Sequence, residues 1–99
     1  MRRPKPIRVR TSSKLARALG LSPAEGAELE VRAELNQKII EAVKRKKITH
    51  AQLAQLVGSS RSRMTALLNR RTEEISTDLM LRVLAALGYR AKLTISHVA

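Results

Sequence analysis

Arg61, Ser62 and Thr65 place hydrogen-bonding side chains in one short stretch at a spacing that suits a helix. At about 100° per residue, Ser62 and Thr65 share one face, and Arg61 stands at the leading end. The apolar Met64 and Leu67 fall on the other face. Arginine can bind guanine O6 and N7 together, while a hydroxyl or a threonine methyl can contact other base edges. The pattern predicts a helix that enters the major groove of DNA, with Arg61, Ser62 and Thr65 at the bases.

Basic and amide side chains around this stretch suit the phosphate backbone rather than the bases. The run KRKK at 44–47 precedes it, and further basic residues follow in and after the same helix. His50 stands at the start of a preceding helix, where it is expected to contact a phosphate or to orient Arg61. Phosphate contacts position a protein on DNA without reading its sequence. The expected phosphate-contacting residues are Lys44, Lys46, Lys47, His50, Arg63, Asn69 and Arg70.

The net charge of +12 is concentrated in two blocks of the chain. Residues 42–72 hold eight Lys or Arg and no acid, and residues 1–19 hold seven and no acid. All eight acidic residues lie elsewhere, five of them between 25 and 41. A basic block laid over a DNA-reading helix favours a polyanionic partner, here double-stranded DNA. The alternative is a solvated surface that only keeps the protein soluble.

The segment 48–69 supplies the two elements that would position these side chains. One apolar stripe at helical spacing precedes residue 58 and another follows residue 60, which predicts two helices that share a core. Gly58 suits a left-handed end of the first helix, and Ser60 can cap the second. The small Ala54 lets the helix axes cross closely. The segment is therefore predicted to be a helix-turn-helix.

Further helices are expected on both sides of this motif. A short helix is predicted over 12–20, and a long one from the capping sequence SPAE at 22–25 to about residue 47. Another is predicted from the caps at 76–78 to Gly88. With a single aromatic residue in the chain, the core that joins these helices must be aliphatic. The helices form one domain over residues 12–88.

The last segment, 89–99, is expected to be a dimerisation strand. Its apolar residues alternate with polar ones, as in a strand, and they are Tyr89, Ala91, Leu93 and Ile95. A lone strand is unstable, and pairing with the same strand of a second copy would satisfy both. The alternative is that it pairs with the chain's own basic arm, residues 1–11. Because it carries Pro4 and Pro6, this arm is otherwise expected to be flexible, although the alternation of Ile7 and Val9 with arginines also allows a short strand that pairs only on docking.

The motif resembles the lambda-repressor-like (XRE) family of helix-turn-helix proteins. The matching positions are Thr49, Leu53, Ala54, Gly58, Ser60, Met64 and Leu67. Over roughly residues 12–96 the chain also resembles the HigA-type antitoxin regulators built on that domain. The resemblance implies an all-α bundle of about five helices with a short C-terminal β-strand paired across a homodimer. It further implies a repressor that binds an inverted-repeat operator and a cognate toxin protein.

The sequence departs from the family pattern at three positions of the motif. Glutamine is usual where His50 and Arg61 stand, and glycine is usual where Arg70 stands. These departures bear on the base preference rather than on the fold.

No catalytic, cofactor-binding or metal-ligating set is expected, and the chain is not expected to be an enzyme. His50 and His97 lack ligand spacing, and cysteine is absent. Two other functions remain open: an antitoxin that binds only protein, and a small ribonuclease that uses His50. The lack of cysteine and of an apolar run long enough for a membrane span favours a cytoplasmic protein.

Overall fold

A computed structural model describes residues 7–8, 20, 22–95 and 97 of the chain. Within these residues it contains four helices and two short strands. In chain order the elements are β1 (Ile7–Arg8), α1 (Pro23–Lys46), α2 (His50–Val57), α3 (Arg61–Leu68), α4 (Thr77–Ala86) and β2 (Leu93–Thr94). The mostly helical architecture confirms the expected all-α bundle, while the short helix expected before Gly20 lies outside the described residues. No helix in the described part of the chain is long and apolar enough to cross a membrane.

The long helix α1 begins and ends at signals that are local in the sequence. The Ser22 hydroxyl accepts a hydrogen bond from the main-chain N–H of Glu25 at 3.1 Å, and Pro23 occupies the first helical position. Proline is tolerated there because that N–H has no partner within the helix. Lys47 then adopts a left-handed φ of 53°, and its N–H turns back to the Lys44 carbonyl at 3.3 Å. The predicted bounds of this helix are therefore confirmed.

One aliphatic core joins the four helices. Its fully buried side chains come from every helix of the bundle, and they are Leu35, Ile39, Leu53, Met64, Leu67, Met80 and Val83. α1 packs against α3 and α4, and α2 packs against the same two helices. Because burial of apolar surface is the dominant favourable term in folding, this core determines how the two motif helices cross.

Two polar side chains of α1 fasten distant parts of the main chain to it. Arg32 donates to the Thr77 hydroxyl at 2.9 Å, to the Thr72 carbonyl at 2.6 Å and to the Ile75 carbonyl. Four residues further along, the buried side-chain amide of Asn36 donates to a main-chain carbonyl of α3 at 2.7 Å. The connection from α3 to α4 and the end of α3 are therefore both held on α1.

The C-terminal strand is shorter than expected and pairs within its own chain. β2 pairs in parallel with β1, with Ile7 opposite Leu93 and Arg8 opposite Thr94. The predicted strand from Tyr89 to Ile95 was therefore too long, and the alternative pairing with the N-terminal arm is the one observed. It also follows that the arm, predicted to be flexible, contributes a strand at residues 7–8. Pairing across a dimer stays a prediction.

Tyr89, Ala91 and Ile95 were predicted to belong to that strand, and all three lie outside it. The N–H of Tyr89 donates to the Leu84 carbonyl at 2.9 Å, so Tyr89 completes the end of α4 instead of entering a ladder. Its side chain is partly buried against the core, and its hydroxyl accepts a hydrogen bond from Arg45 at 3.1 Å. Packing against α1 overrides the alternating pattern at this position.

Candidate nucleic-acid interface

The motif folds as a helix, a three-residue break and a second helix. α2 ends at Gly58, whose φ of 76° is left-handed, a conformation that glycine adopts without strain. The Ser60 hydroxyl accepts a hydrogen bond from the N–H of Arg63 at 3.1 Å and caps the start of α3. The helix-turn-helix predicted over residues 48–69 is therefore confirmed. The cap places Arg61 at the first position of α3.

α3 has a buried face and an exposed face of different chemistry. Met64 and Leu67 are fully buried, as the sequence pattern predicted. Arg61, Ser62 and Arg63 are exposed on the first turn, and Thr65 is partly buried one turn later. The exposed N-terminal turn thus offers two guanidinium groups and a hydroxyl. These are groups that can donate to guanine and phosphate oxygens.

The crossing of α2 and α3 brings His50 and Thr65 together. The Nδ1 atom of His50 lies 2.8 Å from the Thr65 hydroxyl oxygen, and both side chains are partly buried. A reciprocal cap between Thr49 and Gln52 makes His50 the first residue of α2. The contact seen for His50 is with Thr65, and both roles expected for His50, a phosphate contact or orientation of Arg61, stay predictions. No sequence signal points to this pair, because its members lie on different helices.

Arg70 and Asn69 follow α3 and differ in their surroundings. Arg70 has a left-handed φ of 61°, at the position where the family resemblance expects glycine. Its guanidinium donates to the side-chain oxygen of Gln37 at 2.5 Å, and the Gln37 amide donates to Glu41 at 3.1 Å. Asn69 is exposed. The Arg70 side chain is therefore held toward α1, a contact that the sequence did not reveal.

The cationic run at the end of α1 is exposed and adjoins α2. Lys46 and Lys47 line one shallow groove together with Gln52, Gln55 and Leu56 of α2. The two glutamines were not among the residues expected at phosphates, although their spacing of three on a short helix places them on one face. The groove joins two lysines expected at phosphates to amide groups that can also bind phosphate oxygens.

Glu41 lies three residues before this cationic run and is engaged within α1. The hydrogen bond from Gln37, together with the positive charges of Lys38 and Arg45, lowers the pKa of the Glu41 carboxyl below its ordinary value. Lys38 lies 3.8 Å from that carboxylate. Glu41 is therefore ionised at neutral pH, and its carboxylate interacts with Gln37 and Lys38 on its own helix.

Comparison with protein families matches residues 17–96 to a family described as Helix-turn-helix domain. The chain belongs to this helix-turn-helix family. No curated protein and no solved structure matches the sequence. Helix-turn-helix domains typically place the second helix of the motif, here α3, in the major groove of DNA. Membership of a family that is typically non-enzymatic agrees with the view that the chain is a DNA-binding protein.

The sequence-predicted site residues of this helix-turn-helix protein fall into separate groups. Arg61, Ser62 and Arg63 share the first turn of α3, and Thr65 pairs with His50 behind it. The cationic run lies beside α2, and Arg70 lies against α1. Among the described residues, no three His, Asp or Glu side chains come together as a metal ion would require.

Proposed function

We propose that this helix-turn-helix protein is a sequence-specific transcriptional regulator that acts as a repressor. The observation that carries the proposal is the first turn of α3, where Arg61, Ser62 and Arg63 are exposed on a helix whose other face is fully buried. In the proposed complex α3 lies in the major groove. Arg61 and Ser62 bind base edges, and Thr65 contacts a base or a thymine methyl.

The phosphate backbone is bound by the basic surface around the motif. Residues 42–72 carry eight Lys or Arg and no acid, so this part of the surface attracts a polyanion. Such contacts supply affinity and position rather than sequence preference. We assign them to Lys44, Lys46, Lys47, His50, Arg63, Asn69 and Arg70.

The regulator is proposed to act as a homodimer joined through β2. β1 occupies one edge of β2, and in the described residues nothing pairs with the other edge. Leu93 in β2 is 53% exposed, and Ile95 just after it is 82% exposed. A two-fold antiparallel pairing would extend the sheet from two strands to four and pair the main chain along that edge. Such a dimer binds an inverted repeat whose half-sites lie about 34 Å apart, or a multiple of that distance.

The second part of the proposal is an antitoxin role, which rests on the resemblance to HigA-type regulators. The protein carries an acidic surface apart from the motif, on a groove that Glu25, Glu28, Glu73 and Glu74 line together with the exposed Leu29. This charge suits a basic, ribonuclease-like toxin. We expect an adjacent gene for such a toxin, whose expression alone arrests growth. If the neighbouring genes include none, the protein is a solitary regulator.

Selection of bound duplexes from a random DNA pool tests the central proposal. Because reading by α3 and two-fold pairing act together, the enriched sequences should form an inverted repeat. Enrichment of a single half-site would support sequence-specific binding by α3 and contradict the proposed dimer. A pool without enrichment would reject sequence-specific binding and favour an antitoxin that binds only protein.

A further inference from the structure

We propose that His50 is a positioning residue that fixes the direction of the hydrogen bond at Thr65, so that Thr65 reads a base amino group. The inference deepens the proposed function and rests on it. The carrying observation is the 2.8 Å contact between His50 Nδ1 and the Thr65 hydroxyl oxygen. A threonine inside a helix commonly turns its hydroxyl to a carbonyl of the preceding turn. Here the hydroxyl contacts a ring nitrogen on the other motif helix.

A threonine hydroxyl has one hydrogen and two lone pairs, so its partner decides what it can offer to DNA. If Nδ1 of His50 carries the proton, Thr65 accepts that bond and its own hydrogen is free for a base. If Nδ1 is unprotonated, the Thr65 hydrogen is used at His50, and its oxygen can then only accept. The second case restricts Thr65 to base groups that donate, whereas the first leaves it able to donate as well.

The proposed phosphate contact of His50 decides between these two cases. In histidine, the partner of one ring nitrogen sets the protonation of the other. A phosphate oxygen at Nε2 accepts a hydrogen bond, so the neutral ring carries its proton there and Nδ1 becomes an acceptor. Thr65 then accepts from the base, and the donors in the major groove are adenine N6 and cytosine N4. A phosphate contact is thereby converted into a base preference for adenine or cytosine.

The test compares the duplexes selected by four proteins at one fixed, mildly alkaline pH. They are the unchanged chain, Thr65→Val, His50→Phe and His50→Gln. Thr65→Val keeps the side-chain shape without the hydroxyl and so identifies the base pair that Thr65 reads. The unchanged chain should prefer adenine or cytosine there by about three- to tenfold, as one hydrogen bond allows.

His50→Phe should abolish the preference at that base pair and leave the other positions unchanged, because the freed hydroxyl can rotate to donate or accept. His50→Gln should restore it, since the amide can donate to phosphate and accept from Thr65. Thermal unfolding shows that each variant is folded. A structural role alone would not alter one base position and spare the rest.

Three results would overturn the inference. One is that His50→Phe weakens cognate and scrambled duplexes equally and selects the same sequence, which makes His50 a phosphate contact only. Another is a hydroxyl-dependent preference for guanine or thymine, which reverses the assigned direction. A third is that Thr65→Val selects the same sequence as the unchanged chain. If the proposed function itself is wrong, the unchanged chain should enrich no duplex, which differs from all three results. The inference would then be rejected together with the proposed function.

Discussion

The side-chain amide of Asn36 in α1 donates a hydrogen bond to the main-chain carbonyl of Leu67 in α3 at 2.7 Å. Asn36 is 4% exposed and is a polar side chain within an aliphatic core. The same carbonyl accepts a second bond from the N–H of Arg70 at 3.2 Å. The C-terminal end of the proposed reading helix is therefore held by a residue 31 positions earlier in the chain.

Asn36→Leu should destabilise the protein by about 0.5 to 1.5 kcal/mol, because it removes one of the two hydrogen bonds to that carbonyl. The free energy of unfolding from denaturant titration measures the change. Asn69→Ala is the matched control, since it removes an exposed amide one residue before Arg70, and it should change the free energy by less than about 0.5 kcal/mol. Equal effects of the two variants would show that the Asn36 bond contributes no more than a surface amide.

Arg70→Gly should be more stable than Arg70→Ala by about 1 kcal/mol. The φ of Arg70 is 61°, and a residue with a Cβ is strained there, whereas glycine is not. Both variants lose the hydrogen bond to Gln37, so their difference isolates the backbone term. Denaturant titration of the pair measures it. If alanine proves the more stable of the two, the left-handed conformation is absent in solution.

Arg61→Ala should weaken binding to the selected operator by about 1 to 3 kcal/mol and relax the preference at one base pair. Binding to a scrambled duplex should fall less, because the lost contact is to a base edge. Arg82→Ala is the control, as it removes an exposed arginine from α4, outside the motif. Equal losses on both duplexes with an unchanged selected sequence would mean that α3 is not the reading element.

Lys46→Ala and Lys47→Ala should weaken the cognate and the scrambled duplex by similar factors. A phosphate contact carries no sequence information, and each one lost should reduce the slope of log K against log salt by about 0.9. Lys92→Ala, an exposed lysine beyond α4, serves as the control. Affinities for both duplexes at several salt concentrations provide the measurement. An unchanged slope would place the groove between α1 and α2 away from the DNA.

Removal of residues 90–99 should convert the proposed dimer to a monomer in sedimentation and weaken operator binding. This deletion also removes the partner of β1, so removal of residues 1–8 is the matched control. The control deletes β1 and leaves the other edge of β2 intact, and we expect it to preserve the dimer. A dimer that survives loss of residues 90–99 would require another interface.

Helix bounds and buried faces followed from sequence because their causes are local. Ser22, Gly58 and Ser60 cap or end helices through bonds to residues within one turn, and the apolar spacing of α3 specifies which face turns inward. The predicted strand was too long because its bounds depend on contacts between residues far apart in the chain. Alternation from Tyr89 onward is compatible with a ladder, but the contact of Tyr89 with α1 lies outside any local window.

Some features of the proposed reading surface therefore follow from the sequence, and others only from the tertiary structure. The sequence alone determined that a basic helix-turn-helix exists, where its helices begin, and that Arg61 and Ser62 stand at the exposed start of the second one. The tertiary structure alone decided that His50 meets Thr65, that Asn36 holds Leu67, that Arg70 turns toward Gln37 and that β2 pairs with β1. Each of these pairs joins residues on separate elements, and their proximity depends on how the aliphatic core packs those elements together.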